Sequence, residues 1–162
     1  MDKNLLDKLV IHRTVRYMTE QNMATFEVEV ERNEGMASEA KMGDFSQIID
    51  EPKHLGGTDK GPNPLVLLLS SLGGCLNIAG NVVAKEMGLE LEDFIIKIEG
   101  NLDPRGFQGK ADVPSGFQEI RVKIDEIEGV PEEKMDEFIE EIKNRCPVED
   151  TLERSLEIEV ER

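Results

Sequence analysis

From Pro64 to Ala84 the chain reads PLVLLLSSLGGCLNIAGNVVA, with no charged residue, although 33% of the whole sequence is charged. No other stretch constrains the fold as strongly. Asn63 suits a helix N-cap and Pro64 the first helical position. Gly88 marks a stop and Lys85 falls in the last turn, so one long helix is predicted from Pro64 to about Met87. The run is long enough to cross a bilayer. Ser70, Ser71, Asn77 and Asn81 interrupt it, however, and no basic cluster flanks it. A central helix buried on nearly all sides, and therefore apolar all round, fits better.

The other segments surround it. ATFEVEVERN alternates Phe26, Val28 and Val30 with Glu27, Glu29 and Glu31, the period of a strand with one wet face. MASEAKMGDF and SQIID are weaker strands with a turn near Gly43 and Asp44. HLGGTDKGPNP is a loop. DFIIKIEGNL and GFQEIRVKIDEI are two further strands, and SLEIEVER is predicted to end the chain as another. VPEEKMDEFIEEIKNRC is an amphipathic helix whose stripe is Met135, Phe138, Ile139 and Ile142, continued by Cys146. Pro131 opens it, and Pro147 discourages helix beyond the cysteine. Residues 2–10 read as a short helix. The order predicts an α+β fold, with mixed or antiparallel sheets around a buried helix, as a single domain over residues 1–162.

The net charge is −16. So negative a surface repels phosphate backbones and anionic bilayers, which argues against nucleic acid and membrane as partners. The N-terminal MDKNLLDKLV has no apolar core of signal-peptide length. The expectation is a cytoplasmic protein with reduced thiols. His12 and His54 show no metal-ligand spacing, and neither a metal nor a cofactor is expected.

Cys75 and Cys146 are the only cysteines. Their separation excludes a CxxC motif. Buried cysteine is usually inert. A cysteine thiol of ordinary pKa is only about 3% ionised at pH 7. Cys75 lies about three turns into its helix, where the dipole has faded. Activation there needs a cation from another element. The pair Gly73 and Gly74 costs the helix about 2 kcal/mol relative to alanine, a cost that makes sense if another helix or a substrate approaches closely. Cys146 is either core or the partner that condenses with an oxidised Cys75.

HLGGTDKGPNPLVLLLSSLGGCLN, residues 54–77, resembles the first hallmark of the OsmC/Ohr superfamily. NRCPVEDTL, residues 144–152, resembles the second. The match runs from about residue 23, and residues 1–22 match less well. The resemblance implies two helices packed on β-sheets in an intertwined homodimer. It also implies a chemistry, in which the helix cysteine attacks an organic hydroperoxide, becomes a sulfenic acid and is resolved as a disulfide. An external thiol reductant, such as a lipoylated protein, then reduces that disulfide. Those roles fall on Cys75 and Cys146. By position the activating arginine is Arg32, with Arg13 and Arg16 as fallbacks. Gly73, Gly74 and Pro64 are the candidate substrate-binding residues.

Family peroxidases read NPE, and that glutamate holds the arginine. Here Leu65 stands in its place, with Glu51 or Asp59 as substitutes. The alternative is therefore a non-catalytic dimer that binds a small apolar or acyl ligand in the same cleft. A third reading has both thiols inert in the core.

Overall fold

The computed structural model describes residues 15–18 and 23–162. The expected helix over residues 2–10, His12 and Arg13 lie outside the described residues. The chain divides into two compact units, Met1–Val66 and Leu67–Arg162.

The first unit is built from hairpins. Strands β1 (Val15–Met18) and β2 (Met23–Phe26) pair antiparallel. Strands β3 (Glu29–Arg32), β4 (Ser38–Met42) and β5 (Phe45–Ile49) form an antiparallel sheet in that order. The alternating segment 24–33 is thus two strands, because the pairing partner changes between Phe26 and Glu29. The predicted turn stands at Gly43 and Asp44, bracketed by the Met42–Phe45 pair.

After β5 the loop is organised by one buried carboxylate. Asp50 accepts the Thr58 hydroxyl at 2.6 Å and the N–H groups of Thr58, Lys60 and Glu51 at 2.9, 3.1 and 2.8 Å. Gly61 permits this fold-back, since a Cβ there would sit 2.0 Å from the Ile48 carbonyl oxygen. The loop delivers Asn63 to the start of α1 (Pro64–Glu86), where its side chain accepts the Leu65 N–H at 2.8 Å. Capping and the proline at the first helical position are as the sequence predicts.

The second unit contains most of α1, the antiparallel pair β6 (Phe94–Asn101) and β7 (Glu119–Ile127), and three more helices. These are a single turn, α2 (Pro104–Phe107), then α3 (Glu132–Asn144) and α4 (Pro147–Glu153). Helix α1 ends as expected at Gly88, with the Leu89 N–H bonded to the Ala84 carbonyl at 2.8 Å. The core gathers Leu72, Leu76, Ala79, Val83 and Ala84 of α1 with Phe138 and Ile142 of α3 and with Cys146. Phe94 meets Phe138 edge-on, with centroids 6.0 Å apart.

Three expectations need correction. Helix α1 is buried on one face only. Its other face leaves Leu68, Ile78 and Val82 exposed, because none of the described residues covers them. By length and composition α1 could still cross a membrane. Second, Pro147 starts a helix. It occupies the first position of α4, where its missing N–H has no partner to lose. Third, SLEIEVER forms no strand. Residues 155–162 have no paired neighbour among the described residues, and Ile158 and Val160 are 85% and 91% exposed. An alternating pattern makes a strand only where an edge is available to complete its hydrogen bonds.

Candidate functional site

The middle of α1 places Cys75 on the flank between the buried and the exposed stripes, and the thiol is half-buried. The short link between α3 and α4 places Cys146 in the core cluster against which Cys75 packs. The Cys146 N–H bonds back to the Lys143 carbonyl at 3.3 Å, and its sulfur accepts the Glu149 N–H at 3.4 Å as the cap of α4. Cys146 is 1% exposed. Burial first, then a hydrogen bond to the Cys75 sulfur, pushes the Cys146 thiol up to about 11, against the opposing pull of the Glu149 and Val148 N–H groups. Neither cysteine is in a disulfide. The two thiols expected from the sequence therefore meet side by side.

Cys75 opens onto a groove of about 580 Å³. Ser71, Gly74, Ile78, Ala79 and Val82 of α1 form one wall, and Arg145 and Pro147 the other. The wall is apolar from Gly74 to Val82. At 1.5 Å per residue, Cys75 and Glu86 are about 16 Å apart along α1. Glu86 binds the Arg145 guanidinium through both carboxylate oxygens. This ion pair holds the Glu86 carboxyl below its ordinary range and raises the guanidinium. Arg145 was not singled out from the sequence. Its only signal there is adjacency to Cys146.

Of the candidate substrate-binding glycines, Gly74 lines the groove. Gly73 faces the sheet instead, where an added Cβ would lie 3.3 Å from Ile98 Cδ1. Pro64 opens α1 and belongs to the first unit. Arg32 also belongs to that unit. It ends β3 opposite Ser38, is exposed, and makes no ion pair with any described residue. Arg16 is placed only as a backbone position of β1, paired with Thr25. Leu65, which stands where a glutamate was expected, is half-buried. Glu51 is tied to the loop, each of its carboxylate oxygens accepting the Asn63 amide at 2.7 Å. Asp59 is exposed and adopts φ +65°. His54 is exposed in a short 3-10 turn. Among the described residues no group of three or more His, Cys, Asp or Glu side chains could hold a metal ion.

A family model described as OsmC-like protein matches residues 57–161, which include both cysteines and the whole groove. The chain is similar to a hydroperoxide reductase of Mycoplasma pneumoniae, at 25% identity over 136 residues, which are 83% of this chain and 92% of that protein. In structure it is similar to an OsmC-like protein from Mycoplasma pneumoniae, with a TM-score of 0.66, 25% identity, and 84% and 89% of the two chains covered. It also shares the fold of an organic hydroperoxide resistance protein from Legionella pneumophila, with a TM-score of 0.59, 19% identity, and coverage of 80% and 91%. With the matched segment extending over most of the chain, this protein belongs to the OsmC-like protein family.

Proposed function

We propose that this protein is a two-cysteine thiol peroxidase for organic hydroperoxides, with a role in oxidative-stress defence. Membership of the family supports a peroxide-related role. The observation that carries the finer reading is that Cys75 lines an open apolar groove and packs against the buried cluster that holds Cys146. The Cys75 thiolate attacks the peroxide O–O bond. One oxygen stays on sulfur as a sulfenic acid, and the other leaves as the alcohol after taking a proton. The Cys146 sulfur then displaces the sulfenic hydroxyl as water, closing a Cys75–Cys146 disulfide. A dithiol reductant, such as a lipoylated protein, restores both thiols and is itself oxidised. The apolar wall from Gly74 to Val82 suits a hydrocarbon tail on the peroxide.

Arg32 takes the activating role that family resemblance gives it. Its exposed position at the end of β3 supports this. The exposed face of α1 and the exposed alternating tail support a homodimer, because both leave apolar side chains uncovered in the single chain. A second reading, a dimer that holds a small apolar or acyl ligand without turnover, is favoured by Leu65 in place of the glutamate.

One equivalent of cumene hydroperoxide tests the choice. Loss of two hydrogens by intact mass is expected for the reduced protein. Cys75→Ser should abolish turnover, and Cys146→Ser should leave a trappable sulfenate. If both thiols remain alkylatable after several hydroperoxides, the peroxidase reading fails. Ligand that co-purifies in native mass spectrometry would then support the second.

A further inference from the structure

Cys146 and Glu149 have the spacing of a capping box, in which the N-cap side chain takes the N3 amide and the N3 carboxylate reaches back to the N-cap. Only the first half is made. The Glu149 N–H bonds the Cys146 sulfur at 3.4 Å, but the Cys146 N–H is already used by the Lys143 carbonyl at 3.3 Å. The Glu149 carboxylate is left over. Its Oε2 is buried and has no hydrogen-bond partner among the described residues. A buried carboxylate oxygen without a partner is costly, and α4 would be capped without it. Glu149 also borders three cavities, of about 550, 280 and 230 Å³, so its side chain has room to turn. A carboxylate at N3 that reaches back arrives at the residue whose sulfur must lose a proton.

We propose that Glu149 accepts the proton of the Cys146 thiol as that sulfur attacks the sulfenic acid of Cys75. This rests on the peroxidase reading above. The Cys146 S–H bond breaks and its proton moves to the Glu149 carboxylate. The freed sulfur pair forms the S–S bond, and the Cys75 S–O bond breaks. The departing hydroxide takes the proton from Glu149 and leaves as water. No outside oxidant or reductant enters the step, because one sulfur is oxidised as the other is reduced. A thiol held so far above neutrality needs such an acceptor to react at physiological pH.

The charged groups around Glu149 set its titration. Helix α3 brings Lys143, which favours the ionised form, together with Asp136 and Glu140. Helix α4 adds Glu153, which opposes ionisation, and Asp150, while β7 adds Glu119. Helix α1 contributes Leu72 and Leu76 to the lining of these cavities. Burial dominates and raises the Glu149 carboxyl above its ordinary value.

The test follows sulfenate and disulfide separately, by rapid quench and intact mass after one equivalent of cumene hydroperoxide. Glu149→Gln should form the Cys75 sulfenate at the wild-type rate. It should close the disulfide about 10²-fold more slowly, the lower end for positioned proton transfer. Its closure should also rise tenfold per pH unit from pH 6 to 9, tracking the bare thiol. Wild-type closure should be flatter over that range and fall only as the carboxyl is protonated. Glu149→Asp, which keeps an acceptor, should recover part of the rate. The wild-type profile alone supplies this signature if Glu149→Gln does not fold. Closure by Glu149→Gln at the wild-type rate and profile overturns the proposal and leaves the peroxidase reading standing. Equal slowing in Glu149→Asp with the wild-type profile also overturns it, since a lost packing role would do the same. Absence of any sulfenate in the wild-type protein removes the peroxidase reading itself, and this role with it.

Discussion

Cys75 packs against the core cluster that contains Cys146, across a sequence separation that no local signal spans. The buried member of the pair is the one held protonated, and the half-exposed member faces the groove. That asymmetry suits a reaction in which one sulfur meets the substrate and the other waits.

Alkylation should report the asymmetry. With its thiol raised to about 11, Cys146 is only about 0.1% thiolate at pH 8. In the reduced wild-type protein, iodoacetamide labelling mapped to Cys146 at pH 8 should be far slower than for a free cysteine and should accelerate towards pH 11. The same shift links to stability. The folded state holds this proton where the unfolded chain, with a thiol near 9, has lost it. The contribution is therefore fully present below pH 9 and disappears as pH rises towards 11. The stability of the reduced wild-type protein relative to Cys146→Ser, from urea melts, should fall across that window.

Two glycines of α1 should respond in opposite senses. A Cβ at Gly80 would lie 2.5 Å from the Phe94 ring, and overpacking of about 1–3 kcal/mol exceeds or cancels the propensity gain of about 1 kcal/mol. At Gly74 nothing lies within 4 Å. Gly74→Ala should raise stability by up to about 1 kcal/mol and yet lower peroxide turnover, because the methyl intrudes on the groove beside Cys75. Urea melts paired with a peroxide assay check both.

Phe138 is fully buried at the meeting of α1, α3 and β6. Phe138→Ala should cost about 3–5 kcal/mol. A chevron or urea midpoint showing less than about 1 kcal/mol would contradict the packing described for this unit.

Asp50 is depressed to about 2, chiefly by the Thr58 hydroxyl and then by the Lys60 amide, with Glu51 and Thr58 amides adding to them. A depressed carboxyl stabilises the fold above its unfolded value near 4, and the benefit vanishes as pH falls towards 2. Asp50→Asn should lower the melting midpoint at pH 7 and flatten its decline between pH 4 and 2. An unchanged acid limb in the variant would separate the loop from acid stability.

The proposed homodimer should appear in sedimentation at micromolar concentration. Ile158→Asp places a charge in the exposed alternating tail, and should shift the population towards monomer. A monomeric wild-type protein would remove the dimer from the functional reading.

Much of the architecture was legible because its causes are local. Asn63 and Pro64 start α1 through bonds within two residues, and Gly88 stops it through bonds within five. The alternation of β6 and β7 and the stripe of α3 follow from side-chain periodicity. The proline after Cys146 was misread because one residue can both end a helix and begin another. Which of the two it does depends on whether the chain beyond it finds helical partners. SLEIEVER differs for the converse reason, since its pattern is right for a strand and the described residues offer it no edge to pair with.

By itself the sequence determined the long uncharged helix, the placement of a cysteine three turns into it, and the two hallmark segments that mark the family. Only the tertiary structure decided that Cys146 reaches Cys75, that Arg145 closes the groove on Glu86 fifty-nine residues away, and that Glu149 ends with a carboxylate to spare. Caps, turns and periodicity act within a few residues and leave their mark on the chain. Contacts between distant side chains depend on how the whole core packs, and no single segment records that.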